Sequence, residues 1–172
     1  MLHIHRYAEA HESNGETLVI ELPYDIRKRS RIHAQTTCGR EAGLFLERGN
    51  ILKAGDLLIS ESGELIRIKA AEEAVSTVSS NDAMILLKAA YHLGNRHVPL
   101  EIDFDEQGIH RLRFQEDYVL DDMVRQLGAK LTHENAAFHP ESGAYGSHGK
   151  IAGGHHHHAD DEHEHHTHHH HA

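Results

Sequence analysis

Histidine is the residue type whose abundance and spacing could do chemistry in this chain. Of 21 histidines, eleven fall between His155 and His171. They are His155, His156, His157 and His158, then His163, His165 and His166, then His168, His169, His170 and His171. Asp160, Asp161, Glu162 and Glu164 stand among them, and no large apolar residue does. A segment so composed cannot bury a core, so beyond Gly153-Gly154 it reads as a disordered appendage. Neutral imidazole and carboxylate are donors for borderline divalent cations such as Ni²⁺, Zn²⁺ and Cu²⁺. The longest unbroken run is four and acids interrupt it, which sets it apart from a purification tag. The segment therefore reads as a natural collector of metal ions.

The rest of the chain must give that metal a destination. Its 172 residues, less about 30 for the terminal region, suffice for one domain or two small ones. Net charge is −10 with histidine neutral. The tail supplies four of those negative charges, so the body is acidic as well. Such a balance disfavours nucleic acid and anionic membrane surfaces as partners. The single cysteine, Cys38, excludes an internal disulfide framework and a thiolate zinc cluster within one chain. Met1 to Arg6 does not read as a signal peptide, and no apolar run reaches membrane-spanning length. A cytoplasmic protein is the simplest expectation.

Residues 1–72 read as β structure. Leu2 and Ile4 alternate with His3 and His5, and Leu18, Ile20 and Leu22 repeat the pattern up to Pro23. Short apolar strands follow at Arg31–Thr36, Gly43–Leu46, Leu57–Ile59 and Leu65–Ile68, with a hairpin turn at Ser62-Gly63. Strands of this length and spacing predict a small sandwich or barrel. His3, His5, His11 and His33 read as solvated surface residues, and Cys38 as a small buried or idle thiol.

The pattern changes near Ala70-Ala71-Glu72-Glu73. A short strand at Ala74–Val78 leads to N-cap chemistry at Ser79–Asp82 and then a helix. Met84, Leu87 and Tyr91 form its stripe, with Leu86, Ala90 and Leu93 beside them, and Gly94 is expected as its left-handed cap. Val98–Phe104 and Ile109–Phe114 make a hairpin about Asp105–Gly108. A second helix spans about Asp117–Leu127, with Asp121 and Asp122 in its first turn and Gly128 at its end. Lys130–Glu134 can be a last strand. The order βαββαβ is that of a ferredoxin-like domain. The expected class is thus α+β: a small all-β domain over 1–72, a ferredoxin-like domain over 73–145 and a disordered histidine-rich tail over 146–172.

His97 sits just past the first helix, where the backbone turns and a side chain can project. On composition alone a histidine hydrogen-bonded at a helix–strand junction is the preferred reading, and His92 serves to complement the helix dipole. Ligand counting supplies the other reading. A divalent site needs about four donors or more. Two chains paired about a two-fold axis would bring two copies of one near-axis residue together. Two His97 side chains could then share an ion whose shell the tail completes, an arrangement suited to delivery.

Gly94-Asn95-Arg96-His97-Val98-Pro99-Leu100 resembles the signature of the UreE urease accessory proteins, the nickel metallochaperones of urease maturation. Gly43-Leu44-Phe45-Leu46, Gly55-Asp56-Leu57-Leu58 and Val119-Leu120-Asp121-Asp122-Met123 resemble further family segments, as does Phe138 to Tyr145 ahead of the histidine-rich tail. The resemblance covers about residues 1–150 and the tail. It implies an N-terminal β domain that engages proteins and a ferredoxin-like metal domain that forms the homodimer. It further implies Ni²⁺ bound by His97 at the interface, and partnership with the GTPase UreG and the apo-urease complex. Where some members carry two more histidines before the second helix, this chain reads Gln115-Glu116-Asp117-Tyr118, which leaves a second ordered site unsupported. His110 and His133 match no ligand motif.

Three functions follow from these residues. A nickel carrier without turnover is the first, and nickel over Zn²⁺ or Cu²⁺ rests on the resemblance, because imidazole suits all three. A metal store would explain the tail but leave the ordered domains without purpose. A metal-dependent hydrolase lacks support, since no His-Glu-x-x-His, phosphate loop or nucleophile elbow occurs.

Overall fold

Alternation at the start of the chain becomes strand β1, Leu2–Tyr7, with Leu2 and Ile4 buried and His3 and His5 outward. The computed structural model describes residues 1–9, 12 and 16–142, of which Met1–Glu141 make one compact unit. The tail histidines and the stretch from 143 onward lie outside the described residues. Two sheet-rich regions with three helices give an α+β arrangement.

The first region adds β2 (Thr17–Leu22), α1 (Tyr24–Arg27), β3 (Arg31–Gln35), β4 (Glu41–Phe45), β5 (Leu57–Ser60) and β6 (Leu65–Ala70). These strands form one mixed sheet in the order β2-β6-β5-β1-β4-β3, with β1/β4 and β2/β6 parallel. Of the expected sandwich or barrel, the described residues of this region show a single sheet rather than two packed ones. Thr37, in the turn after β3, donates its N–H to Val19 of β2 at 2.8 Å, so the two edges of the sheet approach each other. The enclosed core includes Ile4, Ile20, Leu44, Leu58, Ile66 and Ile68. Burying each such side chain contributes about 1.5–3 kcal/mol. Helix α1 was not evident in the sequence. Pro23, at φ −70°, stands at its N-cap and ends β2 by withholding a backbone donor.

The second region comprises β7 (Glu72–Ser79), α2 (Ala83–Gly94), β8 (Glu101–Phe104), β9 (His110–Gln115), α3 (Tyr118–Gln126) and β10 (Lys130–Ala137). Its sheet runs β10-β7-β9-β8 with every pair antiparallel. Asp82 caps α2 by accepting from the Met84 N–H, and Asp117 caps α3 by accepting from Val119 and Leu120. Gly128, at φ 90°, closes α3 as expected. Strand β10 runs to Ala137, three residues past the expected end, because β7 offers a ladder partner over its whole length. Strand β8 begins only at Glu101, since Pro99 lacks a ladder donor.

The regions are joined by specific bonds. The Tyr24 N–H reaches the Glu73 carboxylate at 2.7 Å. Buried Arg27 donates to the carbonyls of Leu52 and Phe138, and desolvation holds its pKa below the usual guanidinium value. Phe138 is fully buried, edge-on to Tyr24. Among the described residues no helix is long and apolar enough to cross a membrane.

Candidate metal-binding site

The C-terminal end of α2 shapes the one position that ligand counting singled out. The left-handed residue expected at Gly94 occurs instead at His97, φ 56°, the only described non-glycine residue with positive φ. Helical geometry continues beyond Gly94 into Asn95, at φ −62° and ψ −20°, which moves the reversal toward His97. The His97 N–H then reaches the Gly94 carbonyl at 2.9 Å, and the Val98 N–H reaches Leu93 at 3.3 Å. This pair of bonds is a Schellman motif, and Val98 and Leu93 supply its apolar contact. Left-handed backbone costs a residue with a Cβ about 1–2 kcal/mol, and such strain tends to gather at functional positions.

His97 is exposed, and its ring has no hydrogen-bond partner among the described residues. The hydrogen-bonded junction role preferred on composition does not hold. What stands there is an exposed imidazole with no hydrogen-bond partner among the described residues. Among the described residues no three His, Cys, Asp or Glu side chains group to hold a metal ion. The described side chains around His97 thus do not by themselves form a metal site.

The other histidines are differently occupied. His92, in the last turn of α2, lies edge-on to Tyr91 at 5.4 Å. His3 and His5 flank Phe45, and His5 pairs with Glu61 at 3.0 Å. His33 pairs with Glu41 at 2.9 Å. All three are exposed, as alternation anticipates, and His11 is outside the described residues. The His133 ring lies 2.6 Å from Asp121, whose other oxygen accepts from the Ser76 hydroxyl at 2.7 Å. Asp121 stands in the first turn of α3 as expected, and it is buried, bridging β7 and β10. Cys38 is exposed rather than buried. A hydrogen bond from Thr36 chiefly, then backbone donors and Arg40, lowers its pKa from the ordinary thiol value. Among the described residues its side-chain hydrogen-bond partner is the Thr36 hydroxyl, not a catalytic base.

A larger departure concerns α2. Met84, Leu87 and Tyr91 do recur at helical spacing, but they face outward, 55%, 63% and 65% exposed. Ala89 and Leu93 are buried instead, with Ile85 packed beside them. Ile102 and Phe104 of edge strand β8 are also exposed. Between α2 and the β8–β9 hairpin runs a groove of about 260 Å³ whose walls include Leu86, Leu87, Ala90, Ile102, His110 and Leu112. An unpartnered apolar surface of this kind is the mark of an interaction site, and its helical stripe leads to the end of α2 where His97 stands.

Comparison with known proteins places these features. Residues 73–171 match the model of the C-terminal domain of the UreE urease accessory proteins, and residues 2–71 that of their N-terminal domain. A urease accessory protein UreE of Saccharophagus degradans is 47% identical over 156 residues, covering 90% of this chain and 89% of the relative. One from Pseudoalteromonas translucida is 46% identical over 142 residues, 81% of this chain and 84% of the relative. A third, from Vibrio parahaemolyticus, is 49% identical over 136 residues, 79% and 81% of the two chains.

Proposed function

The chain belongs to the UreE family of urease accessory proteins, and on that premise we propose that it is a nickel carrier serving urease assembly. Its cargo is Ni²⁺, with Zn²⁺ and Cu²⁺ as competitors for the same imidazoles. The tail histidines from His155 to His171 gather ions, and His97 holds one for transfer. The acceptor is the apo-urease complex with the GTPase UreG, in the cytoplasm. Residues 1–72 act as the protein-engaging domain and 73–145 as a ferredoxin-like dimerisation domain, for which the order β10-β7-β9-β8 is a support.

The observation that carries this reading is the pairing of a lone free imidazole with an uncovered apolar face. One His97 cannot hold a divalent ion tightly. Dimerisation through Met84, Leu87 and Tyr91 would bury large side chains that are now more than half exposed. It would also set two His97 imidazoles beside a two-fold axis. No catalytic step is assigned to the chain: it binds, holds and releases. The deciding experiment is activation of apo-urease under limiting nickel with the intact chain, a chain ending at Gly154 and His97→Ala. The carrier reading requires that His97→Ala fail to activate while the intact chain succeeds.

A further inference from the structure

The last carbonyls of a helix need partners from beyond its end, and at α2 each finds one. Tyr91 accepts from the Asn95 N–H at 3.0 Å and Gly94 from the His97 N–H at 2.9 Å. Leu93 accepts from both Arg96, at 3.1 Å, and Val98, at 3.3 Å. His92 differs in kind, because its carbonyl accepts from a side chain, the Arg96 Nη1, at 3.0 Å. In a continuing α-helix the Arg96 N–H would bond to His92, four residues back. That N–H goes to Leu93 instead, three residues back. The residue whose main chain leaves the ladder thus returns its guanidinium to the carbonyl it left.

Two helix endings compete for that carbonyl. In the observed one the Arg96 side chain occupies His92, and the chain reverses at His97 with φ 56°. In the other the Arg96 N–H bonds to His92, the His97 N–H bonds to Leu93, and α2 runs on. The second ending relieves the left-handed strain on a residue with a Cβ, so something must oppose it. One net hydrogen bond is of the same order as that strain. A cation at a helix C-terminus is favoured further by the helix dipole. The outcome matters because each helical residue turns the chain by about 100°. A rewound His97 would aim its imidazole in a different direction.

We propose that Arg96 is a positioning residue for His97: its bond to the His92 carbonyl blocks rewinding of α2 and keeps the imidazole where an ion shared with a second copy of the chain can reach it. This rests on the carrier reading above. It adds that the direction of the ligand is set by its neighbour in sequence, through a hydrogen bond rather than through charge.

The test uses the full chain and three proteins: the parent, Arg96→Met and Arg96→Lys. Methionine keeps the apolar stem without a donor, and lysine keeps a donor of nearly equal reach. The conformation of residue 97 is read in the apo chain from its amide–Hα coupling and Cα shift. Occupancy by metal is read from paramagnetic broadening of the Val98 amide signal as Ni²⁺ is added, with the other histidines competing equally in every protein. Arg96→Met should move residue 97 toward helical values and raise the nickel needed for half-broadening severalfold, leaving the signals of the core strands in place. Charge alone predicts the opposite sign, since removing a guanidinium beside a bound cation favours binding. Arg96→Lys should keep both the left-handed turn and the parent's response. Arg96 is exposed and outside the core, and Arg96→Lys remains informative if Arg96→Met folds poorly. An Arg96→Met chain that binds nickel as well as the parent or better overturns the proposal, as does an Arg96→Lys chain that loses either property. If Ni²⁺ never broadens Val98 in the parent, the carrier reading of His97 falls instead.

Discussion

His97 donates its backbone N–H to the Gly94 carbonyl at 2.9 Å from a left-handed φ of 56°. The helix cap is thus closed by a residue with a Cβ where glycine is the relaxed choice. The strain has a measurable consequence. His97→Gly should raise apo stability by about 0.5–1 kcal/mol, the left-handed preference outweighing the extra chain entropy. His97→Ala should stay within about 0.5 kcal/mol of the parent, because an exposed ring with no partner among the described residues contributes little. Both should lose the ordered nickel ion. Thermal melts and nickel calorimetry on the same proteins check this, and a His97→Gly chain less stable than His97→Ala would refute it.

The contrast between Gly94 and His97 shows what the sequence could reveal. Signals that depend on residues within one turn were legible: the Ser79–Asp82 stretch as N-cap chemistry, Gly128 as a left-handed stop. Gly94 misled because glycine permits the left-handed state without requiring it, and the helix simply ran on. Helix α2 is apolar around much of its surface, so periodicity could not choose between Met84-Leu87-Tyr91 and Ile85-Ala89-Leu93 as the buried face. The Ser76–Asp121–His133 chain joins residues 45 and 12 apart in sequence, which no local pattern encodes. His97 as a candidate was legible from ligand counting together with family resemblance, but its free ring was visible only in the fold.

Acid should loosen the second sheet. The Arg111 guanidinium chiefly holds the Asp103 carboxyl below its ordinary value, and the Thr77 hydroxyl, then Arg113, does so for Glu134. A depressed folded pKa stabilises the protein above the unfolded value and loses that contribution as pH falls through the folded one. The loss therefore lies below about pH 4.5, given unfolded values of about 3.9 and 4.3. Denaturant titrations between about pH 5 and 3 should show falling stability. Asp103→Asn with Glu134→Gln should flatten that slope, and an unchanged slope would remove both carboxylates from the account.

Tail capacity should respond to pH in a different window. Imidazole binds metal only when deprotonated, and its ordinary pKa is about 6.5. Ions bound per intact chain should fall steeply from about pH 7.5 to 5.5, while a chain ending at Gly154 loses few or none over that span. Equilibrium dialysis with Ni²⁺ measures both. A stoichiometry that stays flat would mean that carboxylates, not the histidines from His155 to His171, are the donors.

On the carrier reading, the outward stripe of α2 offers a way to remove the ordered ion without touching its ligand. Leu87 is 63% exposed in the single chain, at the middle of the face that Met84 and Tyr91 extend. If that face is where two chains meet, Leu87→Asp places a charge on each side of a desolvated contact. Burying an unpaired charge there costs several kcal/mol, enough to dissociate a dimer at micromolar concentration. The monomer should keep its fold, because Leu87 contributes nothing to the core of Ala89, Leu93 and Leu112. Sedimentation should then report a single chain with an unchanged circular dichroism spectrum. Nickel calorimetry on the same variant ended at Gly154 should show no tight ion, although His97 is present. A Leu87→Asp chain that sediments as a monomer yet holds nickel as tightly as its parent would break the link between pairing and binding.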